Sequence, residues 1–80
     1  MQAEEIKKLI EAGLHNADVT IEGDGTHFSA IIICDAFAGK SRVQRQQLVN
    51  ETVKKQLLDG TLHALSMRTF TQAEWQVLDV

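Results

Sequence analysis

Chemistry in this chain of 80 residues would have to come from three histidines, one cysteine and a cluster of cations. A neutral imidazole suits borderline metals such as iron, and a histidine held at the start of a strand presents its ring at small entropic cost. His63, in Leu62-His63-Ala64-Leu65, has that placement. His27 follows the turn-like run Gly23-Asp24-Gly25-Thr26 and could face the same surface. Taken singly, a strand histidine such as His63 is far more often a hydrogen-bonded structural residue, and His27 could equally bond to turn carbonyls and fix the hairpin. Cys34 is the softest donor, but it closes the apolar run Phe28 to Cys34, where a free cysteine behaves as a small buried hydrophobe. His15 falls at the end of the first helical segment, a position that favours a capping cation over chemistry. Lys40, Arg42 and Arg45 open the second helical region, with Lys54 and Lys55 further along. Such a cluster is either a solvated helix face or a surface for a partner or nucleic acid. No nucleophile with a paired base, carboxylate dyad at a readable spacing or phosphate loop is present, so catalysis is not expected.

Composition narrows the setting. Apolar residues make up 44% of the chain, charged residues 24%, and proline is absent, which fits one compact globular domain over residues 1–80. The single cysteine cannot form an internal disulfide, and secreted domains of this size usually carry several, so a cytoplasmic setting is expected. The N-terminus, MQAEEIKKLIEAGL, lacks the basic and apolar blocks of a signal peptide. The longest apolar stretch is Ala30 to Cys34, against roughly 20 residues for a membrane span. Net charge is −3, yet Lys40 to Arg68 holds six cations against Glu51 and Asp59, a local balance of +4 that leaves −7 elsewhere. A locally basic segment thus sits in an acidic chain.

The elements that would position these residues follow from periodicity. Ile6, Leu9, Ile10 and Leu14 recur at helical spacing, predicting an amphipathic helix from Gln2 to about Leu14, with acidic residues at its N-terminal end. Asp18 to Glu22 alternates as a half-buried strand, Gly23-Asp24-Gly25 predicts a hairpin turn, and Phe28 to Cys34 is apolar enough for a central strand. Ser41 is a candidate N-cap for a helical region from Arg42 to Leu58, as one helix or two with a bend near Gln46 to Val49, and Gly60 ends it. Leu62 to Phe70 fits a third strand, with Leu62, Ala64 and Ser66 on one face and His63, Leu65 and Met67 on the other. Thr71-Gln72-Ala73-Glu74 is a capping-box pattern that starts a short C-terminal helical turn carrying Trp75. The four aromatic residues are expected mostly in the core.

Thr26-His27-Phe28, Phe37-Ala38-Gly39, Arg42-Val43, Leu62-His63-Ala64-Leu65 and Thr71 to Trp75 occur in an order and spacing that resemble the BolA family across roughly residues 3 to 76. The resemblance implies an α+β domain of order αββααβ, similar to a class II KH-like fold, with a three-stranded sheet covered by helices on one face. It also implies an adaptor that pairs with a monothiol glutaredoxin to share a 2Fe-2S cluster, in iron-sulfur trafficking or iron and stress regulation. His63 corresponds to the family's ligand histidine. The family's second ligand lies between the first two strands, where this short loop has neither histidine nor cysteine, so His27 is the nearest candidate. Arg45-Gln46 stands where the family often has Arg-His, as in its short-loop subfamily. Alone, the chain is expected to be a monomer or weak homodimer. The alternative is a nucleic-acid-binding transcriptional regulator using residues 40–55, although Gly39-Lys40-Ser41-Arg42 lacks the second glycine of a KH clamp.

Overall fold

The computed structural model describes Met1–Leu78. Helix α1 spans Ala3–Gly13, with Gln2 as its N-cap, and buries Ile6 and Ile10 completely. The Gln2 N–H donates to Glu5 Oε1 at 3.0 Å, satisfying a donor that the helix start leaves free. Strands β1 (Asp18–Gly23) and β2 (His27–Ile33) form an antiparallel hairpin that pairs Val19 with Ile32 and Ile21 with Ala30 on the face beneath the helices.

A 3-10 turn at Asp35–Phe37 follows, too short to leave a periodic signature, and sets Phe37 fully inside the core. Helix α2 (Arg42–Thr52) begins at Ser41 with a reciprocal cap: Gln44 N–H donates to Ser41 Oγ at 3.2 Å, and Ser41 N–H donates to Gln44 Oε1 at 2.9 Å. Helix α3 (Lys54–Leu58) is separate. The break falls at Val53 (φ −121°, ψ 20°), later than the bend expected near Gln46 to Val49. Two adjacent β-branched residues, Thr52 and Val53, explain its position, since both lose side-chain freedom in a helix and the Thr52 hydroxyl donates to the Val49 carbonyl at 2.6 Å. Gly60 ends the region with a φ of 81°, a left-handed conformation that side chains disfavour.

Strand β3 (Ala64–Phe70) pairs parallel to β2, giving the order β1-β2-β3 with the apolar β2 in the centre. A parallel neighbour needs a crossover, and α2 and α3 provide it. The expected strand began at Leu62, but Leu62 and His63 precede the ladder. Within the strand the expected alternation holds, whereas Leu62, grouped with Ala64 and Ser66, departs from it. Leu65 and Met67 pair with Phe28 and Ala30 and pack against the core, while Ala64 and Ser66 lie toward the other face of the sheet. Leu62 is buried as well, because the incoming chain tucks it under the helices before the strand starts.

Helix α4 (Gln72–Leu78) is longer than the single turn expected and uses the foreseen box. Thr71 N–H donates to Glu74 Oε1 at 2.9 Å, and Glu74 N–H donates to Thr71 Oγ1 at 3.2 Å. Phe28 and Phe37 lie in the core, whereas Phe70 and Trp75 are half-buried and pack on each other at 5.4 Å between ring centres. The result is an α+β domain of order αββααβ with an added C-terminal helix. The opposite sheet face presents exposed Thr20, Glu22, Ser29 and Arg68 around half-buried Ile31. No helix among the described residues is long and apolar enough to cross a membrane.

Candidate functional site

The β2–β3 register pairs His27 with Ala64, so His27 and His63 share one end of the sheet. Both are exposed. The hairpin turn that delivers His27 is held through its main chain: the Asp24 carboxylate accepts from the N–H groups of His27 at 2.9 Å and Thr26 at 3.0 Å. Those two N–H donors, His27 first, also hold the Asp24 carboxyl below its usual range. The turn therefore needs nothing from the His27 ring.

His63 is positioned from its other side. The Asp59 carboxylate accepts from the Thr61 hydroxyl at 2.5 Å and from the Thr61 N–H at 2.9 Å, bonds that lower its pKa in that order of importance. Leu62 N–H donates to the Gln56 carbonyl at 3.0 Å, and its side chain is buried. His63 thus projects from a segment fixed immediately before it and by the β3 ladder immediately after it.

Iron could be held here only in part. Two imidazoles at one sheet end are suitable donors, but among the described residues no group of three His, Cys, Asp or Glu could enclose a metal. Cys34 cannot join them. It lies seven residues from His27 along β2, about 23 Å at the rise of a strand, and is buried with Sγ 3.6 Å from the His15 carbonyl. His15 itself lies beyond Leu14, the C-cap of α1, and what it supplies is that carbonyl in place of the expected helix cap.

The three cations expected to act together divide into two roles. Arg45 is the internal one. Its Nη1 and Nη2 meet the two Glu74 carboxylate oxygens at 2.7 and 3.0 Å, Nη1 also donates to the Thr69 carbonyl at 3.3 Å, and Nε donates to the Lys40 carbonyl at 3.0 Å. Its side chain is 12% exposed. The bidentate pair, together with the Thr71 N–H, pulls the Glu74 carboxyl down to about 2, and the Glu74 carboxylate raises the Arg45 pKa. Lys40 and Arg42 remain exposed and join Arg68 around a groove of about 440 Å³ between α2 and β3. Arg68 belongs to the basic segment in the sequence, where nothing local assigns it to the site. Its position on the third strand was legible, but its proximity to Lys40 and Arg42 required the crossover geometry.

Comparison with known proteins places this geometry among relatives. The profile described as "BolA-like protein" matches residues 3–74. The acid stress protein IbaG of Escherichia coli K12 is 36% identical over 75 residues, covering 94% of this chain and 89% of that protein. The DNA-binding transcriptional regulator BolA of Vibrio cholerae is 35% identical over 78 residues, covering 98% of this chain and 70% of that protein. A solved bolA protein homologue from Coxiella burnetii superposes with a TM-score of 0.85 at 35% identity, covering 95% of this chain and 97% of that one.

Proposed function

The chain belongs to the BolA-like family, and on that basis we propose that it is a non-enzymatic adaptor that pairs with a monothiol glutaredoxin and shares a 2Fe-2S cluster with it. Iron-sulfur trafficking or iron and stress regulation is the setting this reading supplies. The observation that carries it is His63, exposed at the head of β3 yet fixed by buried Leu62 before it and the ladder after it. A 2Fe-2S cluster needs four protein ligands. His63, with His27 at the same sheet end, can supply one or two, so thiols of a partner must complete the set. The role of this chain is to hold an imidazole ready at a surface the partner can reach, with little ordering required on association.

The test is anaerobic reconstitution with a monothiol glutaredoxin, followed by visible absorption and circular dichroism. The mixed complex should give a spectrum distinct from that of the glutaredoxin alone, and His63→Ala should abolish the difference without lowering the thermal midpoint of the free chain. A spectrum indifferent to the added chain would end the adaptor reading.

A second reading rests on the exposed Lys40, Arg42 and Arg68 around one groove, which suit nucleic-acid phosphates. It requires an affinity for DNA that falls steeply with salt, and Arg42→Ala should reduce the log–log salt slope by about 1. Salt-insensitive or undetectable binding would remove it.

A further inference from the structure

Strand β3 has a free edge, and the hydrogen bonds at its end reveal which residues line it. Cys34 N–H donates to the Phe70 carbonyl at 2.8 Å, so even-numbered residues of β3 turn their main-chain groups toward β2. Arg45 Nη1 donates to the Thr69 carbonyl from the opposite side, so odd-numbered residues turn theirs outward. Leu65 and Met67 therefore direct both N–H and C=O away from the sheet, and among the described residues no hydrogen bond meets them there. This edge opens into a groove whose far wall is α2. Arg42, Gln46 and Asn50, one helical turn apart, face Leu65 and Met67 across a cavity of about 300 Å³ that continues into the groove near Lys40 and Arg68. Arg45, held in place by Glu74, lines that basic end. No carboxylate lines the groove among the described residues.

We propose that this groove receives an extended acidic segment of a partner protein, which adds as a strand to the β3 edge with its acidic residues against Lys40, Arg42 and Arg68. Outward-facing amide and carbonyl groups match a polypeptide backbone, and pairing with them is a known route to peptide capture. The cations at the basic end select negative charge and fix direction. Antiparallel pairing places the acidic residues at the N-terminal end of the segment. A nucleic-acid strand fits less well because base stacking needs an open aromatic face. Phe70 packs on Trp75 at 5.4 Å, and the Arg68 guanidinium stands 5.3 Å from its ring centre. A second copy of the chain is opposed by charge, since pairing two β3 edges brings the same cations into one seam without added carboxylates. This inference is independent of the cluster reading, because neither histidine takes part.

The experiment follows backbone amide exchange by NMR in the 15N-labelled chain, with a synthetic peptide Asp-Asp-Val-Thr-Val-Thr-Val as probe and its reversed sequence as the parallel alternative. The expected result is at least about tenfold slower exchange at Leu65 and Met67, with Ser66 and Arg68, already bonded to β2, unchanged. Replacing the aspartates with lysines should weaken binding by about tenfold or more, and Arg42→Glu should weaken binding of the acidic peptide by a similar factor. Exchange at Leu65 and Met67 that neither peptide slows at millimolar concentration would overturn the proposal. So would protection that appears without peptide and grows with protein concentration, which would assign the edge to a second copy. Stronger binding of an oligothymidylate than of the acidic peptide would assign the groove to nucleic acid instead.

Discussion

Arg45 donates to acceptors from three separate parts of the chain: the Lys40 carbonyl, the Thr69 carbonyl and the Glu74 carboxylate. It thereby ties the start of α2 to the end of β3 and the first turn of α4. Because the Glu74 carboxyl is depressed from 4.5 to about 2 in the folded chain, the pair's contribution is fully present above about pH 4.5 and is lost as pH falls through about 2. Thermal melts should therefore show a larger difference between the natural chain and Glu74→Gln at neutral pH than near pH 2, where the two midpoints should converge. This carboxyl is half exposed, so raising ionic strength should narrow the difference as well. The sequence could mark Arg45 as a cation at a helix start. It could not show that its partner lies 29 residues away, because no local pattern encodes an ion pair between distant elements. His63 was more legible, since its place ahead of a strand can be read from the residues on either side.

Helix α1 meets α2 where Gly13 faces Thr52. A Cβ at Gly13 would stand 2.5 Å from Thr52 Cγ2, closer than packed atoms allow. Gly13→Ala should therefore destabilise the chain by about 1–3 kcal/mol in urea melts, although alanine is intrinsically the better helix former by about 1 kcal/mol. Adding Thr52→Ser, which removes that methyl but keeps a hydroxyl for the Val49 carbonyl, should recover much of the loss. A double-mutant cycle without coupling would show that the close approach is not the cause. Long periodic elements such as α1, β1 and β2 were legible because many side chains repeat one spacing. Short elements were not: the 3-10 turn at Asp35–Phe37 has no period to read, and the tuck of Leu62 disguised where β3 begins. The break between α2 and α3 was open in the sequence because β-branched residues only bias a helix, and tertiary packing chose Val53.

On the scale of the molecule, one apolar layer beneath the sheet supports everything else, and Phe37 lies fully within it. Small domains retain a net stability of only about 5–15 kcal/mol, so Phe37→Ala, at about 3–5 kcal/mol, should leave the chain marginal or unfolded. Chemical denaturation should show a lower midpoint with an unchanged slope if any cooperative transition remains. The overall fold was readable because each half of the sheet is announced by its own apolar run. What lines the groove between α2 and β3 was not, since a parallel crossover joins residues from distant stretches. The burial of Cys34 has a separate consequence. With 1% exposure, its sulfur is shielded from thiol reagents while the core stays closed, so alkylation in the native chain must wait for an opening event. The lone thiol is thus a timer of how often the core opens, and while the core stays closed it is withheld from exchange with any disulfide presented at the surface.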